Sequence, residues 1–222
     1  MTIVLLVVVL VIVVLFAWLG LVQPWMHCWG ATDGELVRTW AGDDVVREPN
    51  YFATLAITID ASPAEIWPWL RQLGNGRGGL YSYDGLDRLF GVLDADSANE
   101  ILPGIPEPKP GDVIPIGHAP AAGFPVVAVE RMRHLVLGST SAPGGVQWSW
   151  TFALVPVSPG RTRLISRNRG MVPAGIRGTI TRCILDPTAF LMTRRMLLGL
   201  KRRAERLHRL GPAGSSTQTS ER

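Results

Sequence analysis

The hydrophobic and polar positions divide the chain into an opening stretch that never alternates and a remainder that alternates repeatedly. The run opens at Ile3 and closes at Val22, and 17 of these 20 residues are Leu, Ile, Val or Phe, with no charged side chain before Asp33. A helix rises about 1.5 Å per residue, so the run matches the roughly 30 Å hydrocarbon core of a bilayer and predicts one transmembrane helix over residues 1–24. Its summed insertion free energy is about −5 to −10 kcal/mol, an upper bound because end positions count for less. A cleaved secretory signal would need a basic leader and a small-residue cleavage site, and both are missing. Trp18, Trp25 and Trp29, with Pro24, close the run as the aromatic belt of a span would. A lipoprotein site at Cys28 is disfavoured further, because Met26 and His27 precede it where small residues are needed.

Residues 25–50 carry no period and read as a connector. Residues 51–60 alternate, with Leu55, Ile57 and Ile59 on one side and Thr54 and Thr58 on the other, the period of a half-buried strand. Ser62-Pro63-Ala64-Glu65 supplies a cap, a first-turn proline and a capping-box glutamate, and predicts a helix over 63–73. That helix turns Ile66, Trp67, Leu70 and Leu73 to the core and Trp69 outward, and Pro68 either kinks it or confines it to a few turns. Glycines across 74–79 break the helix, and a short one follows over 86–90, with Asp84 as its cap and Gly91 at its end.

After the Pro-rich stretch 97–110, short strands are expected at 112–116, 124–129 and 135–139. The clearest strand is 146–154, with Val146, Trp148, Trp150, Phe152 and Leu154 on one face and Gln147, Ser149, Thr151 and Ala153 on the other. Pro159-Gly160 turns the chain, and 161–168 returns as an antiparallel partner. Either Leu164, Ser166 and Asn168 or Ile165, Arg167 and Arg169 face inward there; alternation leaves both open. Asp186-Pro187 reads as cap and first position of a last helix reaching about residue 210. Phe190, Leu197, Leu200, Ala204 and Leu207 form its apolar stripe, with Arg194, Arg195, Lys201, Arg202, Arg203, Arg206 and Arg209 on the other faces. Residues 211–222 form a polar tail read as disordered.

Composition changes this picture in two places. The net charge of +4 hides an asymmetry: residues 1–160 hold 8 basic and 15 acidic side chains (−7), and residues 161–222 hold 14 and 3 (+11). Beside a bilayer the basic helix would meet anionic lipid, at about 1 kcal/mol per Lys or Arg near the surface, or form an ordinary solvated face. Nucleic acid is excluded because no aromatics interleave with the arginines. Arg38 and Arg47 are the only basic residues flanking the span, and the positive-inside rule favours a cytoplasmic domain. Chemistry is the second place. Cys28 and Cys183 make no disulfide framework, and His27, His118, His134 and His208 are isolated from other metal ligands. No nucleophile elbow or phosphate loop is present, and the glycines at 74–79 end a helix where a phosphate loop would start one.

The order strand, capped helix, helix, antiparallel strands and long C-terminal helix resembles the helix-grip fold of the SRPBCC superfamily, the START/Bet v 1-like and polyketide cyclase/dehydrase-like proteins. The words that carry the resemblance are Ile57-Thr58-Ile59-Asp60-Ala61-Ser62-Pro63-Ala64-Glu65-Ile66-Trp67, Arg77-Gly78-Gly79-Leu80-Tyr81-Ser82-Tyr83-Asp84, Thr162-Arg163-Leu164-Ile165, and Met196-Leu197-Leu198-Gly199-Leu200-Lys201-Arg202-Arg203-Ala204-Glu205. It covers roughly residues 52–209 and implies one α+β domain over 51–210, its curved antiparallel sheet wrapped around the long helix. A cavity between sheet and helix is implied as well, with Trp67, Tyr81, Tyr83, Trp148, Trp150, Phe152, Ser166, Asn168, Phe190 and Leu197 as candidate ligand-binding residues. The same aromatic wall also fits plain core packing, since every sheet needs one apolar face.

The expected function is a membrane-anchored domain that binds a lipid, isoprenoid or polyketide-like molecule without covalent chemistry or cofactor. The alternative is a cyclase or dehydratase in which Tyr81, Tyr83 and Asp84 serve as acid and base, which predicts that the three converge in one cavity. A tether with a filled core is the third reading.

Overall fold

The computed structural model describes residues 2–117, 123–140 and 147–210, so Val146, His118 and the tail 211–222 lie outside the described residues. The chain opens with α1 (Thr2–Ala17), a π-helical turn (Trp18–Val22) and α2 (Gln23–His27), and Ala17 and Gln23 keep helical dihedrals at the two junctions. The expected single span is thus divided into three segments. α1 has 16 residues, about 24 Å at the usual rise, and no helix among the described residues is by itself long and apolar enough to cross a membrane. Pro24 supplies the physical reason. A proline has no N–H to donate, and its ring collides with the carbonyl four residues back, here that of Gly20. The wider π turn, in which the Gln23 N–H reaches the Trp18 carbonyl, carries the helix past that obstacle.

The connector is not patternless. Thr32 and Glu35 close a capping box over α3 (Asp33–Val37), and the following chain lies on one face of a sheet. That sheet begins with β1 (Tyr51–Ile59) and continues, after α4 (Pro63–Arg71) and α5 (Asp84–Leu89), through β2 (Val113–Pro115), β3 (Gly123–Glu130), β4 (His134–Thr140), β5 (Gln147–Ser158) and β6 (Arg161–Gly170). The order is β1-β6-β5-β4-β3-β2, antiparallel throughout. On β6 the inward set is Leu164, Ser166 and Asn168, since Leu164 joins the main core and Trp150 Nε1 donates to Ser166 Oγ at 2.8 Å. Ile165 faces the other way, into a small cluster with Trp40, Ala56 and Ala153. The arginines beside it meet the connector's acids, Arg163 Nη2 donating to Glu35 at 2.7 Å and Arg167 Nε to Asp43 at 2.8 Å.

The inner face is covered by α4 and by α6 (Gly175–Leu210), which packs on β1, β6, α4 and α2. Its 36 residues make it about 54 Å long, and it starts eleven residues before the Asp186 cap expected from the sequence. The Asp186 carboxylate has a tertiary use in place of the local one: Gln23 Nε2 donates to its Oδ2. Pro187 is accommodated inside the helix. Farther along, α6 runs so close to the chain at Tyr81 that a Cβ on Gly199 would stand 2.3 Å from the Tyr81 carbonyl oxygen. Two further expectations change. Trp69 is buried and not outward, its ring edge-on to Tyr81 at 6.0 Å. Asp84 opens α5 without capping it and accepts from Ser97 Oγ at 2.6 Å, while Tyr83 holds the cap position. The molecule is an α+β domain of one six-stranded antiparallel sheet and a long C-terminal helix, the element order expected of a helix grip.

Candidate functional site

A cavity of about 500 Å³ lies between the inner face of the sheet, the first half of α6 and the end of α2. Its aromatic wall comes from β3 and β5. Phe124 sits edge-on to Trp148 at 5.2 Å and to Trp150 at 5.4 Å, an arrangement that opposes ring edges to ring faces. The Trp150 indole N–H is already used on Ser166, so its ring can line an apolar space without leaving a polar atom unmatched. Ala53 and Leu55 form the β1 side and Phe190 and Met192 the α6 side, with Met26 closing the end next to α2. Phe190 is held by two tryptophans, 5.2 Å from Trp25 and 6.4 Å from Trp29, and the Arg194 guanidinium lies 4.8 Å over the Trp29 ring.

One corner of the cavity is polar. His27 Nε2 stands 3.1 Å from Asp186 Oδ2, and the His27 and Tyr51 rings meet edge-on at 5.3 Å. Arg182 lines the same corner and donates from Nη2 to the Asn50 carbonyl at 3.1 Å. Burial pushes the Tyr51 hydroxyl up to about 12, the Asp186 charge pushes the same way, and Arg182 opposes them.

Of the ten candidate ligand-binding residues, Trp148, Trp150, Asn168 and Phe190 line this cavity. Phe152 and Leu197 are wholly buried in packed core, and Ser166 sits behind the Trp150 indole. Trp67 is buried on the inner side of α4 with its Nε1 donating to Glu107 at 2.8 Å. Tyr81 is buried too, at a left-handed φ of 58°, its hydroxyl donating to the Trp69 carbonyl at 3.1 Å and its ionisation pushed up by burial. Tyr83 is on the surface with Arg195 over its ring, and Asp84 is bound to Ser97. Tyr81, Tyr83 and Asp84 therefore do not meet in the cavity.

Sequence reading missed Met26, His27, Tyr51, Phe124, Arg182 and Asp186. The alternation of β1 and β3 marked Tyr51 and Phe124 as strand residues, but nothing local brings His27 to Asp186. A second cavity, about 490 Å³, lies at the far end of α6 among Trp69, Glu100, Ile101, Arg203, Arg206 and Leu207, and it has a more polar lining. Among the described residues no three His, Cys, Asp or Glu side chains gather as a metal site requires.

No family model matches the chain, and no curated protein matches it. In structure it is similar to an aromatase/cyclase from a Streptomyces species, at 16% identity and a TM-score of 0.45 over 75% of this chain and 99% of that one. It is also similar to a Thermus thermophilus protein, at 14% identity and a TM-score of 0.41 over 75% of this chain and 100% of that one. A norcoclaurine synthase point mutant from Thalictrum flavum is similar at 15% identity, with a TM-score of 0.38 over 69% of this chain and 96% of its own.

Proposed function

We propose that this chain is a membrane-anchored helix-grip domain of the SRPBCC type that takes a hydrophobic or amphipathic small molecule, a lipid, isoprenoid or polyketide, into the cavity between sheet and α6 without covalent chemistry. The observation that carries the reading is the cavity itself: about 500 Å³, within the range of small-molecule sites, and walled mainly by Trp148, Trp150, Phe124, Phe190 and aliphatic neighbours. Burying apolar ligand surface there is favourable by about 25 cal/mol per Å².

Anchoring rests on a second observation. The α1 side chains Ile3, Leu5, Leu6, Leu10 and Phe16 are between 62% and 77% exposed, an apolar surface all round the helix that water does not favour. Helical dihedrals run on from α1 through the π turn, so these two segments together offer a bilayer the length that α1 alone does not, and α2 continues from them into the domain. The same path ends at Met26 on the cavity wall, which suits a ligand that partitions into lipid. In this reading the domain is cytoplasmic, and Arg194 and the exposed arginines of α6 meet anionic headgroups.

The test is native mass spectrometry with lipid extraction on the full chain purified in mild detergent from its own host. A stoichiometric apolar molecule is expected, lost in Trp148→Ala. Protein that carries nothing and takes up no apolar dye would overturn the reading.

A further inference from the structure

The corner formed by Asp186, His27, Tyr51 and Arg182 has a use that an apolar cavity alone does not explain. Asp186 is 2% exposed and lines the cavity. Its Oδ2 is committed to α2, taking the Gln23 amide N–H with His27 Nε2 3.1 Å away. Its Oδ1 is equally buried and has no hydrogen-bond partner among the described residues. Buried carboxylate oxygens are nearly always satisfied, because leaving one unmatched away from water is strongly unfavourable. Asp186 lines a ligand-sized cavity, so its unmatched acceptor serves as a recognition element for a donor that reaches it from there.

The surrounding charges select the kind of donor. Arg182 faces Tyr51 together with Asp186, and its Nε is buried without a partner. One carboxylate and one guanidinium nearly cancel, so neither ion finds a complementary field. An ammonium head would meet the Arg182 guanidinium, and a carboxylate head would meet the Asp186 carboxylate. Only an uncharged donor avoids both repulsions. Tyr51 stays protonated at neutral pH, as its hydroxyl is pushed up to about 12, and it adds a second neutral hydrogen-bonding group at 5.3 Å ring distance from His27.

We propose that Asp186, flanked by Tyr51 and His27, binds the hydroxyl of an amphipathic alcohol whose hydrocarbon body lies against Trp148, Trp150 and Phe190. The inference rests on the cavity being the ligand site and names the ligand's head. A fatty acid of the same length is then a poor ligand, although its tail fits equally well.

The experiment uses the full chain in phosphatidylcholine nanodiscs, with empty discs as the partition reference, and three probes of one chain length: dodecanol, its methyl ether and dodecanoate. The ether keeps the oxygen and lacks the donor. Dodecanol is expected to bind about tenfold more tightly than either of the others, the worth of one hydrogen bond to a charged group. In Asp186→Asn the amide oxygen keeps Gln23 and the amide N–H₂ takes the Oδ1 position, a donor replacing an acceptor. The preference for dodecanol over its ether is then lost, because a hydroxyl oxygen accepts from the amide as an ether oxygen does, and dodecanoate gains. Should that variant not fold, Tyr51→Phe decides, with a selective loss for dodecanol expected. Equal binding of the three probes by the wild type, or a ranking unchanged in both variants, overturns the inference and leaves the cavity reading standing. Binding of none of them overturns both.

Discussion

Trp148 and Phe152 lie on the same face of β5, four residues apart, and meet opposite surroundings. Phe152 is completely buried, whereas Trp148 is half-buried and lines the cavity. α6 repeats the contrast, with Leu197 sealed in the core and Phe190 on the cavity wall. The difference follows from what covers the sheet. Beside Leu197 a second helix reaches in, and α4 brings Ile66, Trp67 and Leu70, all buried, against α6 and β5. Beside Phe190 there is no α4, and the short α2 takes its place against α6 and β1. One helix cannot fill the width of a curved sheet. The layer is solid where two helices share it and hollow where α6 is helped only by five residues of α2.

The sharpest way to break this contrast is to truncate both members of the β5 pair. Phe152→Ala opens a cavity in close-packed core and should cost about 3–5 kcal/mol, a large part of the stability of a domain this size. Trp148→Ala removes a ring that already borders open space and should cost about 1 kcal/mol, the ordinary value for a point substitution. Ligand retention should move the other way, lost in Trp148→Ala and kept in any Phe152→Ala protein that remains folded. Denaturant titration of both variants, with ligand content measured on the folded fraction, decides. Equal stability losses would mean that the two ends are packed alike.

A smaller effect distinguishes the outer face of the sheet, which is filled by ion pairs, from the apolar inner one. Burial tends to raise the Asp43 carboxyl, but the hydrogen bond from Arg167, the Trp40 N–H and Arg169 outweigh it and hold the group below the usual carboxylate range. Glu35 is lowered in the same way, against its own burial, chiefly by Arg163. A carboxyl depressed on folding contributes stability above its unfolded value near 4 and loses it as pH falls through the folded value. The melting temperature should therefore fall on acidification below about pH 4, and Asp43→Asn should flatten that fall. Leu197 is buried in the core and carries no titratable group, so Leu197→Ala should lower stability by a similar amount at every pH.

The parts of this fold that could be read from the sequence are those specified by neighbours in the chain. The capping box of Ser62 and Glu65, the alternation of β1 and β5 and the Pro159-Gly160 turn each need only a few consecutive residues. The unread parts depend on residues far apart. The connector looked patternless because Glu35 and Asp43 acquire meaning only beside Arg163 and Arg167 on β6. Asp186 obeyed every local rule for a helix cap, and a contact from Gln23 overrode them. The candidate site divides in the same way. The aromatic stripe of β5 was visible, but which of its members face open space depends on where α4 stops, and neither periodicity nor composition encodes that.

The smallest expected effect tests the alternative chemistry. Tyr83 is 39% exposed, Asp84 binds Ser97, and neither lines the cavity. Tyr83→Phe removes a hydroxyl from the surface, where substitutions usually change stability by less than about 0.5 kcal/mol. Ligand content, probe ranking and melting temperature should all match the wild type. A polyketide cyclase using Tyr83 as its acid would instead lose turnover on this change, because proton transfer by a positioned side chain is worth about 10²–10⁴-fold. A Tyr83→Phe protein that keeps its ligand and shows no lost reaction is thus the outcome a binding domain requires, since the recognition proposed above lies along the line from α2 to Phe190.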